Sequence, residues 1–358
     1  MWFPPGTLRI VHRATSRSLS RSSLVGGLAL MLCGISSAPA APPPIIDVHI
    51  HAEPVPATGP RPINCGSELQ EFAPRDGREH FTIDDVRSRC DKILYAPATD
   101  ADNRAAVGKY LEEYNITAVV LGTVPTVQLW QQALGARAIP ALGMRMPGTP
   151  SVEEMRDAIL GGKARLMAEV SPQYEGIGPD ATSMERYFAL AEELDFPIGI
   201  HIGLGAPAAA YVGQSDYLAS LTNPMLLEPV LRRHPRLRIY VMHAGWPMAD
   251  QMIHLMYSHP QVYVDTGIID WGIPRKEFYH HLQRLMDAGF GNRIMFGTDQ
   301  MIWPDAIPIA IDAIQRAPFL SDADKRNILY NNAARFLRLR STPAPAAQTS
   351  PHNVEAKH

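Results

Sequence analysis

The stretch IIDVHIH, residues 45–51, decides how the rest of the chain is interpreted. Its apolar run is typical of a strand that is buried on both faces, and it ends on His49 and His51. Because side chains alternate between the two faces of a strand, both imidazoles point the same way. A surface or structural pair of histidines is the ordinary explanation of this pattern, and a pair of metal ligands is the alternative.

Seven further strands of the same kind follow the first one. The eight predicted strands are residues 45–51, 116–123, 138–144, 164–170, 197–203, 237–243, 262–267 and 293–298. Amphipathic stretches that favour helices lie between them, at residues 103–114, 151–160, 184–194, 225–234 and 276–288. Eight consecutive βα units predict an α/β protein, a (β/α)8 TIM barrel forming a single domain over residues 41–340. The competing doubly wound sheet usually has fewer strands and a Gly-rich phosphate turn, and no such turn follows the first strand.

Polar residues close three of the later strands. His201 ends the fifth predicted strand, His243 the sixth, and Asp299 follows the eighth. The carboxyl ends of barrel strands meet at one mouth, and buried polar side chains must be paired or bind something. Imidazole and carboxylate ligands suit Zn²⁺, and also Mn²⁺ or Fe²⁺. The strand ends therefore predict a divalent metal site, with zinc as the expected metal.

The order of these motifs resembles the amidohydrolase superfamily. The matching segments are HIH at 49–51, the strand-ending His201, HAG at 243–245, FGTD at 296–299 and NNAARF at 331–336. More narrowly, the chain is similar to the amidohydrolase-related (amidohydrolase 2) group of metal-dependent TIM-barrel hydrolases, which also contains decarboxylases. The resemblance implies that His49, His51, His201 and Asp299 bind the metal. It also implies that Asp299 is the general base, and that His243 either binds a second metal or polarises substrate and shuttles protons.

Glu169 leaves the number of metal ions open between one and two. It lies in the fourth predicted strand, where some branches of the family carry a bridging Glu or carboxylated Lys. The alternative is a carboxylate that is salt-bridged to Arg145 or Lys163.

Residues after the strands are candidates for binding substrate. Arg145 ends the third strand and is either a partner for a substrate carboxylate or a structural ion-pair partner. Aromatic residues in later loops predict an apolar pocket or barrel packing: Tyr174, Trp246, Trp271 and Trp303. Asp265 and Asp270 are interpreted as structural. Five histidines on helices or in turns are interpreted as surface residues: His234, His254, His259, His280 and His281.

The connection after the first strand is unusually long. Residues 52–102 are rich in Pro, Gly and charge, and most βα connections are far shorter. This insertion is predicted to lie over the barrel mouth as a lid. It holds Cys65 and Cys90, which predict a disulfide more readily than a metal pair, because no histidine cluster accompanies them.

The two ends of the chain differ from the barrel sequence. Residues 1–40 carry Arg9, Arg13, Arg17 and Arg21, then an apolar run at 24–35 and Ala38-Pro39-Ala40. This predicts a cleaved secretory signal peptide, a periplasmic or secreted protein, and no stable membrane anchor, because the apolar run is too short to span a bilayer. Residues 341–358 are predicted to be disordered.

Removal of residues 1–40 leaves 29 basic and 36 acidic residues, a net charge of −7. This balance argues against nucleic acid as a partner and leaves a small molecule as the expected one. Barrels of this kind often dimerise, so a homodimer is also considered.

Three functions are compatible with these features. The first is hydrolysis of a C–N or C–O bond in an amide, cyclic amide or lactone by metal-activated water. The second is non-oxidative decarboxylation of an aromatic or dienoic acid, whose family branch often has a proline-containing aromatic loop after the fifth strand. Here the sequence is HIGLG at 201–205, which favours hydrolysis. The third, a non-catalytic barrel, would normally show a broken ligand set.

Overall fold

The structure, a computed structural model, describes residues 41–67, 71–86, 90–144 and 149–339. Ten strands occur there: β1 (Ile45–His51), β2 (Ile63–Ser67), β3 (Lys92–Tyr95), β4 (Ile116–Gly122), β5 (Ala138–Met144), β6 (Leu166–Val170), β7 (Ile198–His201), β8 (Ile239–Met242), β9 (Val262–Asp265) and β10 (Ile294–Met295). β1 and β4–β10 form one parallel sheet in chain order. All eight predicted barrel strands are confirmed, and five of them end earlier than predicted.

Backbone hydrogen bonds join the two edges of this sheet. The N–H of Val48 donates to the carbonyl of Phe296 at 3.0 Å, and the N–H of Asp299 donates to the carbonyl of His49 at 2.7 Å. The segment that follows β10 therefore lies beside β1 and bonds to it, but the two do not form a regular ladder. The sheet closes into the predicted TIM barrel.

Helices occupy the connections between the strands. They are α1 (Ile83–Val86), α2 (Asp100–Glu113), α3 (Val124–Leu134), α4 (Val152–Leu160), α5 (Glu185–Leu194), α6 (Glu228–Arg233), α7 (Ala249–Ser258), α8 (Arg275–Asp287), α9 (Ala306–Gln315), α10 (Asp322–Arg326) and α11 (Asn332–Phe336). Capping boxes at Ser151 and Ser321 satisfy the first N–H groups of α4 and α10. No helix in the described ranges is long and apolar enough to cross a membrane.

Alternate strand positions separate into two apolar layers. Ala118 and Val120 of β4 belong to the large cluster that packs strands against helices. Val119 and Leu121 belong to a smaller cluster made mostly of strand residues, which fills the barrel. β1 follows this pattern until its register shifts between Asp47 and Ile50. After the shift the two histidines lie near each other at the mouth.

The segment between β1 and α2 has structure of its own. β2 and β3 pair as an antiparallel hairpin, and Cys65 forms a disulfide with Cys90, their Cα atoms 5.5 Å apart. The indole N–H of Trp303 donates to the carbonyl of Pro62 at 3.2 Å, which ties the segment to the barrel. The predicted signal peptide, the predicted disordered tail and Arg145 lie outside the described residues.

Candidate metal centre

Six side chains from five strand ends converge at the barrel mouth. β1 supplies His49 and His51, β6 supplies Glu169, and β7 supplies His201. The other two are His243, which directly follows β8, and Asp299, which lies four residues beyond the end of β10. Each histidine and Asp299 exposes no more than 5% of its surface. The structure therefore brings together all the residues that the sequence predicts as metal ligands, including His243 and Glu169.

The backbone turns sharply where two of these residues leave their strands. His243 has φ 62° and Asp299 has φ 53°, in the left-handed region that non-glycine residues rarely adopt. Such conformations cost on the order of 1–3 kcal/mol and cluster at functional sites. The turns aim both side chains across the mouth instead of along the strand.

Four ligand atoms, one from each of four side chains, form a first group. His49 Nε2 lies 3.2 Å from His51 Nε2 and 3.4 Å from Asp299 Oδ1. His51 Nε2 lies 3.0 Å from Asp299 Oδ1 and 3.6 Å from Glu169 Oε2. These separations define a compact set of two imidazoles and two carboxylates.

A second group lies beside the first and shares Glu169 with it. The other carboxylate oxygen, Oε1, contacts His201 Nδ1 and lies 3.3 Å from His243 Nε2. The two imidazoles meet edge to face, with His243 Nε2 3.1 Å from His201 Nδ1. The sequence predicts His201 in one ligand set with His49, His51 and Asp299. In the structure His201 instead lies with His243, on the other side of Glu169.

The remaining ring nitrogens show which atoms carry protons. His49 Nδ1 lies 3.0 Å from Asp265 Oδ2, His201 Nε2 2.7 Å from the carbonyl of Leu204, and His243 Nδ1 2.9 Å from the carbonyl of Gly267. Carbonyl and carboxylate oxygens only accept hydrogen bonds, so each of these nitrogens donates. His51 Nδ1 similarly faces a carboxylate oxygen of Glu53 at 3.3 Å. The opposite nitrogens therefore turn their lone pairs toward the centre.

This donor set fits divalent cations. Lone pairs of four imidazoles and two carboxylates converge, and the buried Asp299 Oδ1 lies 3.0 and 3.4 Å from ring nitrogens of His51 and His49. With metal–ligand bonds of about 2.1 Å, neighbouring ligand atoms lie about 3.4 Å apart in a tetrahedron and about 3.0 Å apart in an octahedron. The separations of 3.0–3.6 Å in the first group are close to these values, and so are the distances of 3.1 and 3.3 Å from His243 Nε2 in the second group.

Without a cation the same cluster must hold protons. Burial opposes charge on the imidazoles, but hydrogen bonds to Asp299 and Glu53 outweigh it and raise the pKa of His51 well above its ordinary value. Burial also opposes charge on His243, but Glu169 and Asp299 outweigh it and raise its pKa to about 9. Burial opposes charge on Glu169, but the imidazoles of His201, His243 and His51 outweigh it and hold the pKa of Glu169 well below its ordinary range.

Asp265 supports the site from below. One oxygen accepts from His49, and the other accepts from the backbone N–H groups of His243 and Gly267 at 2.8 and 3.0 Å. A Cβ at Gly267 would lie 2.6 Å from His49 Nδ1, so only glycine allows this close approach. Sequence analysis interpreted Asp265 as structural, and its contact with His49 was missed. The available signal was its place at the end of an apolar strand, the same signal that singled out His201.

A cavity of about 300 Å³ opens beside the six ligands. It is lined partly by the segment after β1, including Ile63, Asn64 and Phe72, and partly by barrel loops. Tyr174 and Trp303 line it, as the sequence predicts for substrate-binding residues. Trp246 is not part of the lining, because its indole N–H donates to Glu277 of α8 at 3.1 Å.

Two histidines that were interpreted as surface residues are buried. His281 is 2% exposed and donates from Nε2 to the carbonyl of Ala244 at 2.9 Å, beneath the turn that carries His243. His234 is 7% exposed and lies between Glu185 and Glu192. His281 is buried beneath a barrel loop, whereas His234 follows α6 and packs against α5. Asp270 is buried and accepts from Thr266, which agrees with its structural interpretation.

The fold and the site together define a TIM-barrel protein with a histidine–carboxylate metal centre at its mouth. A family model described as Amidohydrolase matches residues 46–339. The chain belongs to this amidohydrolase family and is an enzyme of it.

Solved structures share the fold at low sequence identity. An uncharacterised TIM-barrel protein from Bordetella bronchiseptica is 19% identical with a TM-score of 0.51, over 66% of this chain and 81% of that one. An amidohydrolase from Burkholderia multivorans with bound zinc is 14% identical with a TM-score of 0.51, over 83% and 99%. A 5-carboxyvanillate decarboxylase from Sphingomonas paucimobilis is 14% identical with a TM-score of 0.50, again over 83% and 99%.

One curated relative matches part of the chain. Protein fluG of Emericella nidulans is 21% identical over 176 residues, which is 45% of this chain and 19% of that protein. The chain thus matches about a fifth of the length of this relative.

Proposed function

We propose that the protein is a hydrolase that holds two divalent cations, with zinc as the expected metal, and cleaves an amide, cyclic amide or lactone. The observation that carries the proposal is the convergence of six ligand side chains, with their protons turned outward, beside an open cavity. His49, His51 and Asp299 would hold one cation, His201 and His243 the other, and Glu169 would bridge them. Zinc in the structure from Burkholderia multivorans supports the choice of metal.

A divalent cation at this site supplies Lewis-acid polarisation of a carbonyl and lowers the pKa of a water molecule to about 7. Asp299 belongs both to the ligand set and to the lining of the cavity. Its carboxylate accepts a proton as the oxygen of water attacks the substrate carbonyl carbon. When the C–N or C–O bond breaks, Asp299 returns that proton to the leaving nitrogen or oxygen. In this scheme His243 is a ligand and not the general acid.

The alternative function is non-oxidative decarboxylation. The similarity to a 5-carboxyvanillate decarboxylase gives it a basis at the level of the fold. Decarboxylation would use the same ligands without an attacking water. Release of CO₂ from aromatic or dienoic acids, with no turnover of lactones or amides, would favour this function over hydrolysis.

The Asp299→Asn variant tests the role of the base. We expect it to keep bound zinc but to lose at least about 100-fold in kcat on a lactone or amide, because a general base contributes at least that much. Metal analysis and steady-state kinetics on the same preparation separate the two properties. Wild-type turnover in this variant would remove Asp299 as the base.

We also propose that the protein acts after export. The predicted signal peptide and the disulfide between Cys65 and Cys90 support an oxidising compartment. Fractionation of cells that produce the full chain, with N-terminal sequencing of the mature protein, tests this. A cytoplasmic protein with residues 1–40 intact would contradict it.

A further inference from the structure

We propose that the substrate is uncharged and largely apolar, and that it carries a hydrogen-bond acceptor that binds Asn64 away from the scissile bond. The inference rests on the proposed hydrolase function and narrows its substrate class. It also assigns two residues of the segment after β1, Asn64 and Asp84, to substrate selection.

The first argument is the charge of the cavity wall. Its described lining contains three carboxylates, Asp84, Glu169 and Asp299, and no lysine or arginine within the described ranges. Glu169 and Asp299 belong to the metal centre, but Asp84 lies outside it and is exposed. A substrate carboxylate near Asp84, away from the metal centre, would face a like charge and no cationic side chain of the described lining.

The second argument is the apolar character of the remaining wall. Ile63, Phe72 and Ile83 line one side, and Leu204 and Met301 line another. An anionic group that enters such a wall loses its water without gaining a partner, which weakens its binding. A cavity of about 300 Å³ is at the small end of ligand sites. It suits one ring with a short substituent.

The third argument is an unpartnered donor. Asn64 is 5% exposed and lines the cavity. Its Oδ1 accepts from the N–H of Cys65 at 2.9 Å, while Nδ2 has no hydrogen-bond partner among the described residues. Flipping the amide would place two donors together, so Nδ2 must stay where it is. Buried donors are nearly always paired. Nδ2 is covered by its neighbours in this structure, so a substrate oxygen would pair with it after a small shift of the Asn64 side chain toward the cavity.

A matched trio of six-membered lactones tests the inference. The rings are identical and carry acetonyl, isobutyl or carboxymethyl substituents, which have the same number of non-hydrogen atoms and the same branching but differ in acceptor and charge. With the zinc-loaded enzyme we expect kcat/KM for the carboxymethyl compound to be at least about 100-fold below that for acetonyl, because of desolvation. We expect isobutyl to be about fivefold below acetonyl, because one hydrogen bond is lost. A carboxymethyl compound that reacts as fast as the acetonyl compound would overturn the proposal.

Single substitutions test the roles of Asp84 and Asn64 separately. Asp84→Lys should narrow the gap between acetonyl and carboxymethyl by about tenfold through reversed charge, while Glu79→Lys should leave it within about twofold. Glu79 is the matched control, since it is an exposed acid of the same segment outside the cavity. Asn64→Asp keeps the acceptor for Cys65 but removes the donor, and should abolish the preference for acetonyl over isobutyl. Unchanged preferences in both variants would contradict the assignment.

Binding distinguishes failure of this inference from failure of the hydrolase function. Dissociation constants for the three lactones are measured by calorimetry on zinc-loaded Asp299→Asn, which does not need to turn them over. If affinity falls from acetonyl to isobutyl to carboxymethyl but the wild type turns over none of them, hydrolysis of lactones is overturned and the preference for an uncharged substrate is supported. If the wild type turns the lactones over but carboxymethyl binds most tightly, only the preference for an uncharged substrate is overturned.

Discussion

At the scale of single residues, the tautomers of the histidines determine whether the mouth of the barrel is a metal site. His49 shows this most clearly, because its Nδ1 lies against Asp265 and its Nε2 faces the other ligands. Asp265 is itself fixed by two backbone N–H donors. It therefore positions a ligand without belonging to the ligand set.

The Asp265→Asn variant should weaken zinc binding by about 10–100-fold, the usual effect of losing an outer partner of a ligand histidine. The amide oxygen would keep the backbone N–H groups, so the amide NH₂ would face His49 Nδ1 and force the proton onto Nε2. Competition with a chromophoric chelator gives the dissociation constant. Glu53→Gln is the matched control on His51. We expect a smaller loss there, because Glu53 is 36% exposed and water can replace it.

Unaltered zinc affinity in Asp265→Asn would show that the contact with His49 does not set its tautomer. Lost affinity together with a lower melting temperature of the metal-free protein would point instead to general disruption of the β9 end.

The ligand residues could be predicted from the sequence because each one interrupts or follows an apolar strand. Their grouping could not be predicted, because it depends on the left-handed turns at His243 and Asp299 and on the register shift in β1. The hydrogen-bond partners Leu204 and Gly267 could not be predicted either, because every residue has a backbone carbonyl whatever its side chain. Trp246 illustrates the reverse error, since its loop position resembles that of Trp303 but Glu277 binds its indole.

At the scale of elements, α8 is coupled to the turn that carries His243. His281 of α8 is buried and donates to Ala244, and burial lowers the pKa of its imidazole from the ordinary 6.5. The folded protein therefore favours neutral His281. The resulting stability is present above pH 6.5 and is lost as the pH falls toward the lowered pKa.

In His281→Gln we expect the free energy of unfolding to fall less steeply as the pH is lowered below 6.5. The glutamine amide can donate to Ala244 but does not titrate. The free energy of unfolding from urea titrations of wild type and variant at several pH values measures this. His280→Gln is the control, since His280 is the neighbouring histidine of the same helix and is partly exposed. Parallel pH profiles for wild type and His281→Gln would contradict the coupling.

The segment after β1 depends on its disulfide. The bond between Cys65 and Cys90 joins residues that are 25 positions apart. It lowers the conformational entropy of the unfolded segment and so stabilises the folded segment by on the order of 3 kcal/mol. In the Cys65→Ser, Cys90→Ser double variant we expect amide hydrogens of β2 and β3 to exchange about 100-fold faster, with those of β4–β8 unchanged. Hydrogen exchange by mass spectrometry reports both regions. Equal rates in β2 and β3 with and without the disulfide would show that packing alone holds the segment.

Strand order was predictable because buried parallel strands are continuous apolar runs. Strand ends were not, and β10 shows the reason. Its ladder to β9 covers only Ile294 and Met295. Beyond them the N–H of Phe296 donates to the carbonyl of Ile328, and the N–H of Gly297 donates to the hydroxyl of Thr266. These partners outside the sheet end the strand before its apolar run ends.

At the scale of the whole molecule, binding of cations is linked to protons. The metal-free centre keeps protons on His243, whose pKa is raised to about 9, and on His51. A cation must displace these protons, so its affinity increases as the pH rises toward about 9. Binding of cations to the folded state also makes the barrel more stable, by about 4 kcal/mol per site at a thousandfold excess over the dissociation constant.

The most direct test of the metal centre is calorimetric titration of the full chain with zinc after chelator treatment, run at pH 7.5 in two buffers of different ionisation enthalpy. The account predicts about two zinc ions per chain and release of about one to two protons. Glu169→Gln should reduce the stoichiometry to about one, because the bridge between the two groups is lost. Zinc that fails to bind wild-type protein, or binds without releasing protons, would contradict the account.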